Sequence, residues 1–473
     1  MIKKKLVHKN KILWYKRSEV KTMNFKRRNE KGITLVALVV TIIVLIILAG
    51  VSINLLVGQD GLISRAKLAK EQYENAALDE QNKLNELYER LAGNWSEEEE
   101  EENNQLPVLT ADTEAGTIVK LPDEWATETA RYVSTNTGVE ITEVTKVASV
   151  YAVAIGGGES VPVPYGFYYV GGNLATGVVI SDAEADKNKY VNDENKDVGI
   201  DLVGNQFVWI PCSTNAYVKT DWGKQNANWD NTTPKAELSQ IEKYSGFYVG
   251  RYEAGLASDM TEFTTNQTHT GSNQVYNQYK TPQSKAGLVP WNFVDWTHSK
   301  ANAESMYNNN YVSSGLITGT QWDVILNTMK SKAGLSDSDI TNSNSWGNYK
   351  NKQLTFTGRK AVASHNGSNW ILAPFGTQTT DGTKGTYSGN GGELLTTGAS
   401  TTTQKYHIFD IAGNLWEWTE EDSHYQTSGQ YRVVRGGCYL STSSDGPACY
   451  RHGICGVGGT GLSVGFRAVL YIK

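Results

Sequence analysis

The apolar run Ile33–Val57 constrains everything else in this chain of 473 residues. Lys31 precedes it, Asp60 follows it, and no charged residue lies between them. About 20 apolar residues at roughly 1.5 Å each cross a hydrocarbon core of roughly 30 Å as a helix. Lipid offers no partners to backbone N–H and C=O groups, so a helix is the simple way for such a segment to cross. A buried core helix is the alternative reading. It needs a large surrounding α structure, and the polar, glycine-rich remainder does not read that way.

Charge orients the run. Residues 1–31 hold 12 Lys+Arg and two Asp+Glu, a net +10; with −6 for the whole chain, the remainder carries −16. A basic arm beside an apolar helix is the positive-inside pattern, which predicts a single-pass cell-membrane protein with a cytoplasmic N-terminus and an extracytoplasmic body. Basic arms also bind nucleic acid, but no nucleic-acid module follows, and none is expected as a partner. Cys212, Cys438, Cys449 and Cys455 form no CxxC, and the histidines are scattered, which argues against a zinc site. A disulfide outside the membrane is possible in principle, with no pairing readable.

Met23–Gly32 reads as a complete short leader, so translation from Met1 or from Met23 are both open. A basic leader ending in Gly32, then Ile33-Thr34-Leu35-Val36 and the apolar run, resembles the prepilin signal of type IV pilins and pseudopilins. That resemblance implies cleavage between Gly32 and Ile33 by a prepilin peptidase, with methylation of the new N-terminus and the helix kept as anchor. A secretory signal has the opposite order, with its cleavage site after the apolar region. Ala37 stands where pilins carry the glutamate that neutralises a neighbouring subunit's ammonium, and an unpaired ammonium in lipid is costly. This favours a display tether over packing with other pilin-like subunits.

After Gly58–Gly61, residues 58–95 read as an amphipathic stalk, with Leu62, Ala66, Ala69, Tyr73, Ala76, Ala77, Glu80, Leu84, Leu87 and Leu91 at mostly helical spacing and Glu80 the one charged intruder. Glu97–Glu102 makes 96–106 an extended acidic linker. Residues 107–203 read as β-rich, with strands expected at Thr117–Leu121, Val147–Val153 and Gly166–Val170. Gly156-Gly157-Gly158 lacks the Lys and Ser/Thr of a phosphate loop.

From Gly204 short motifs follow in order: Phe207–Pro211, Gly246–Glu253, Val289–Trp296 leading into a helix over 298–306, and Gly315–Asp323 opening another helix with Thr318 or Thr320 as N-cap. Phe409–Thr419, Val433–Tyr439 and Gly465–Arg467 complete the set. The structural reading makes Trp416 and Trp418 core and uses the Arg435 and Arg467 forks on loop carbonyls. Together, Gly413-Asn414-Leu415-Trp416-Glu417-Trp418, Arg435-Gly436-Gly437 and Gly465-Phe466-Arg467 resemble the formylglycine-generating enzyme (sulfatase-modifying factor) family over residues 204–473. The resemblance implies a C-type-lectin-like domain with little regular structure, so the expected class is α+β: a transmembrane and stalk helix, a small β-rich region, then that domain.

The resemblance also implies an oxidase that holds copper(I) with two cysteines. The first position falls on Ser441, and a hydroxyl does not replace a soft thiolate. Cys449, in Cys449-Tyr450-Arg451, and Cys455 are the weak candidates, so copper and oxidase activity are disfavoured. A calcium site is implied at Asn414 and Glu417, hard oxygen ligands on a turn; capping by Asn414 and pairing of Glu417 is the other reading. The leading function is a membrane-anchored, prepilin-processed surface protein whose head is a non-catalytic module for an extracellular glycan or protein. The alternatives are a formylglycine-generating-type oxidase, or a minor pilin or pseudopilin of a secretion or pilus filament.

Overall fold

Strand-forming motifs build a six-stranded sheet through the body of the protein. The structure, a computed structural model, describes residues 106–125, 131–136, 141–147, 149–191, 197–226, 235–256, 279–356, 361–365, 370–372, 382–388, 391–423 and 431–473. All of them fall within one unit, Glu99–Lys473. Gly32, Ile33, Ala37, the apolar run, the stalk and the acidic run 97–102 lie outside the described residues. No helix among the described residues is long and apolar enough to cross a membrane.

The six strands are β1 (Tyr168–Gly171), β2 (Val178–Ser181), β3 (Gln206–Pro211), β4 (Gly246–Gly250), β5 (Val312–Leu316) and β10 (Ala468–Ile472). They lie in the order β5-β10-β4-β3-β2-β1, every neighbouring pair antiparallel. Successive side chains point to opposite faces of a strand, and here both faces are apolar. Phe207, Trp209, Tyr248 and Leu470 enter one core, while Val208, Ile210, Phe247, Val249 and Val469 enter another. The first core also contains Val119, Val150, Val161, Trp291, Trp418 and Phe466. Burial on both faces accounts for the near-continuous apolar and aromatic runs.

One expectation changes here. The head contains more regular structure than its resemblance implies, because its aromatic and β-branched motifs alternate along strands. The sheet also takes in strands that precede Gly204. Strands β1 and β2 precede that point yet hydrogen-bond in series with β3, and the upstream residues share the head's core. Strand partners distant in sequence decide this, and composition does not reveal them.

Upstream, Ile118–Val119, Val150–Gly156 and Glu159–Pro164 form a separate three-stranded sheet. Its last strand is at an edge, where Pro162 and Pro164 are tolerated because the missing N–H groups face no partner strand. Gly157 and Gly158 make its hairpin turn, both with positive φ, 65° and 76°.

Helices cover the sheets. They are α1 (Lys235–Tyr244), α2 (Trp296–Ser305), α3 (Gly319–Lys332) and α4 (Asp337–Asn342). Asp295 caps α2 by accepting from the His298 N–H, so that helix starts at Trp296. Thr318 caps α3 in a reciprocal capping box with Gln321. Helix α3 buries Trp322, Ile325 and Met329 in the second core.

Candidate functional site

A second sheet carries most of the C-terminal motifs. It comprises β6 (Trp416–Asp422), β7 (Tyr431–Arg435), β8 (Arg451–Gly456) and β9 (Val464–Phe466), in the order β8-β7-β6-β9. Glu417 pairs in register with Arg435, and Arg435 with Arg451, so these three share one face. Trp418, Val434 and His452 share the other.

On the charged face, Arg467 forks onto Glu417: Nη2 donates to Oε1 at 2.6 Å and Nε to Oε2 at 3.0 Å. Its remaining donors reach the Gly250 and Phe409 carbonyls at 2.9 and 2.8 Å. Asn414, with φ 58°, accepts at Oδ1 from the Leu395 N–H and from Asn348 Nδ2, and donates from Nδ2 to Glu253 Oε2 at 2.6 Å. The Leu415 N–H donates to Glu253 Oε1 at 3.0 Å. Burial holds the Glu253 carboxyl well above the usual range, and the Asp410 and Glu417 carboxylates push it further. Burial also raises Asp410 and Glu417 against the opposing pull of Arg467.

That geometry tests the calcium expectation. Calcium takes six to eight oxygens, but both Glu417 oxygens accept from Arg467 and Asn414 Oδ1 already accepts twice. The arrangement does not fit calcium held by these two side chains. Among the described residues no three His, Cys, Asp or Glu side chains converge for a metal.

A second buried charge group lies alongside. Arg435 donates to Asp323 Oδ1 at 2.7 Å and to the Cys449 and Tyr450 carbonyls at 3.1 and 3.2 Å. Arg451 pairs with the other Asp323 oxygen and with Glu421, at 3.1 Å from Nε to Oε1. Lys219 reaches Glu421 at 3.4 Å, and the Thr220 N–H donates to Asp323 Oδ2 at 3.1 Å. The sequence reading gave no role to Glu253, Asp323, Glu421 or Arg451. Three of them stand in the motifs Gly246–Glu253, Gly315–Asp323 and Cys449-Tyr450-Arg451, and a charged side chain inside an aromatic motif was the available signal.

The thiols lie nearby. Cys438 Sγ is 3.3 Å from Ser441 Oγ, the position where the family resemblance puts its first copper ligand. All four cysteines are free, and only Cys455 is partly exposed. Burial raises the Cys438 thiol and pushes Cys449 and Cys455 up to about 11. A hydroxyl and protonated buried thiols do not fit a ready-made copper(I) pair, which needs thiolates. Gly436 and Gly437 shape this loop with φ of 92° and 77°, and a Cβ on Gly437 would stand 1.8 Å from the Gly446 carbonyl oxygen. A Cβ on Gly465 would meet the Trp291 carbonyl at 2.7 Å, and the neighbouring Phe466 is buried.

Three partly exposed rings gather beside the loop. Trp416 lies 5.8 Å from Tyr450 and 5.4 Å from His452, with Tyr450 and His452 6.3 Å apart. Cys455 Sγ is 3.3 Å from His452 Nδ1. Trp418, by contrast, is buried and donates from its indole to the Val294 carbonyl at 2.9 Å.

No curated protein matches the chain. The solved structure of Treponema denticola variable protein 1 is 15% identical, covering 57% of this chain and 97% of that one, with a TM-score of 0.27. That of CarF is 14% identical, covering 57% and 100%, with a TM-score of 0.30. The family described as the sulfatase-modifying factor enzyme 1-like domain matches residues 204–472, more than half of the sequence. The chain therefore belongs to the sulfatase-modifying factor enzyme 1-like family.

Proposed function

We propose that this chain is a membrane-tethered display protein whose sulfatase-modifying-factor-like head is a binding module rather than an oxidase. The observation that carries this reading is the Cys438–Ser441 contact at 3.3 Å, a thiol and a hydroxyl where copper chemistry needs a thiolate. The interior carboxylates support it, since Glu417, Asp323 and Glu421 are each held by a cation. The surface offers the rings of Trp416, Tyr450 and His452 instead, and aromatic faces with polar edges suit contact with a glycan or a protein. In this reading the leader is cut after Gly32, and Ile33–Val57 holds the head outside the membrane.

Binding is tested by a glycan and envelope-protein screen with the full-length chain, followed by Trp416→Ala with Tyr450→Ala. A retained ligand is expected to lose at least about tenfold in affinity when the rings are removed, in the range of a lost aromatic hot spot. Full affinity in the double variant contradicts the site. Mass spectrometry of the mature N-terminus tests the tether: a chain beginning at Ile33 is expected, and an intact leader contradicts it.

A further inference from the structure

The hairpin Lys405–Ile408 carries an unusual turn. Lys405 and Ile408 exchange N–H···O bonds of 2.9 Å in both directions, and the two residues between them are Tyr406 at φ 53° and His407 at φ 57°. A two-residue turn with both centres left-handed favours Asn and Gly. Bulky Tyr and His hold such a conformation only where their surroundings over-determine it.

Their side chains show what holds them. Tyr406 donates from Oη to the Leu174 carbonyl at 2.9 Å. His407 uses both ring nitrogens. Nδ1 lies 2.6 Å from the Gly177 carbonyl, which only accepts, and Nε2 lies 3.2 Å from the Val198 N–H, which only donates. The partners therefore fix the neutral tautomer with its proton on Nδ1. The fit is close on both sides: a Cβ on Gly177 would stand 2.3 Å from the Tyr406 carbonyl oxygen, and one on Gly172 would stand 3.1 Å from His407 Nδ1.

We infer that the Tyr406–His407 turn is an acid-released latch, by which the family-matched part of the head grips the upstream segments 172–177 and 197–199. Protonation at Nε2 removes the acceptor of the Val198 N–H and places an imidazolium in a buried site. The groups facing it set the sign. Arg251 donates from Nε to the His407 carbonyl at 3.0 Å and from its other nitrogens to the Val198 and Gly199 carbonyls, so a second cation is opposed. Asp197 is 3.9 Å from Nε2 but 85% exposed, which leaves its attraction screened. Tyr169 donates to the Gly172 carbonyl, and Tyr190 and Asp201 face Arg251; none of them accepts a proton from the ring. Burial and Arg251 together lower His407 to about 4, against the Gly177 hydrogen bond. A histidine lowered in the closed state favours closure fully above its ordinary value of about 6.5 and loses that contribution as pH falls towards 4.

The test is hydrogen exchange of the full-length chain, read by mass spectrometry and corrected for intrinsic rates. Between pH 6.5 and 4, opening of residues 172–177 and 197–203 should rise about 100-fold relative to β3 and β10, as linkage to one proton requires. His407→Gln keeps one donor and one acceptor without titrating, and its rise should stay within about threefold, the residual expected without that proton. His407→Ala should expose both segments to protease already at pH 7. A flat wild-type profile, a rise spread evenly over β3 and β10, or an unchanged rise in His407→Gln would each overturn the latch. The comparison of wild type with His407→Gln stands even if the alanine variant does not fold.

Discussion

Two buried charge groups share one face of the β8-β7-β6-β9 sheet, and they are balanced differently. Around Asp323 and Glu421 stand three cations, Arg435, Arg451 and Lys219. Around Glu253, Asp410 and Glu417 stands one, Arg467, and it is bonded to Glu417. Removing charge from water is expensive unless a partner is present. The first group meets that cost with ion pairs. In the second, burial and mutual repulsion raise the carboxyls, against the pull of Arg467. Carboxylates of the same chemical kind, Glu417 and Glu421 on one strand among them, thus sit in differently balanced surroundings.

The sharpest way to break this comparison is to strip one partner from the paired group. Asp323→Asn leaves Arg435 and Arg451 facing each other with one carboxylate fewer, and should cost about 3–5 kcal/mol in denaturant unfolding. Arg467→Met should cost a similar amount, about 3–5 kcal/mol, since Glu417 and two carbonyls lose their donor. An effect for either below that of a surface pair, about 1 kcal/mol, would show that the charges are not buried in solution.

A smaller effect of reversed sign is expected at Gly319, the first residue of α3. Glycine to alanine ordinarily stabilises a helix, but a Cβ here would stand 2.1 Å from Glu421 Oε2, a carboxylate already fixed by Arg451 and Lys219. Gly319→Ala should therefore destabilise by about 1–3 kcal/mol, as overpacking does. A gain in thermal midpoint would place Glu421 elsewhere.

Comparable in size should be Glu253→Gln. Both Glu253 oxygens accept hydrogen bonds, from Asn414 Nδ2 and the Leu415 N–H, so an amide turns one acceptor into a donor facing a donor, and a loss of about 1–3 kcal/mol is expected near neutral pH. Its signature is in the pH dependence. A carboxyl raised in the folded state contributes stability that is present below its unfolded value and lost as pH rises through the folded one. Unfolding measured from pH 5 to 9 should show that alkaline loss in the wild type and a flatter profile in Glu253→Gln. Identical slopes would mean Glu253 is ionised throughout.

How much of this was legible beforehand depends on range. An N-cap at Thr318 or Thr320, helix α2, Trp418 as core and the Arg forks on carbonyls all rest on neighbours in sequence or on one residue's donor count. Asp323 as the partner of Arg435, or Glu253 as the partner of Asn414, joins positions more than 100 residues apart. No local pattern carries such a pairing. The same reason hid strands β1 and β2 from the head, because their register with β3 is a property of the sheet. The ring group joins Trp416 and Tyr450, each inside a quoted motif, to His452, which lies in none, and only the register of β6, β7 and β8 brings them together.

Anaerobic copper(I) titration of the full-length chain, followed by oxygen and a cysteine-containing peptide, tests the central claim most directly. With Ser441 beside Cys438 and the other thiols held protonated, no stoichiometric dithiolate copper and no oxygen-dependent loss of peptide thiol are expected. One tightly held equivalent of copper(I), together with oxygen-dependent consumption of the peptide thiol, would make the head an oxidase and contradict the account.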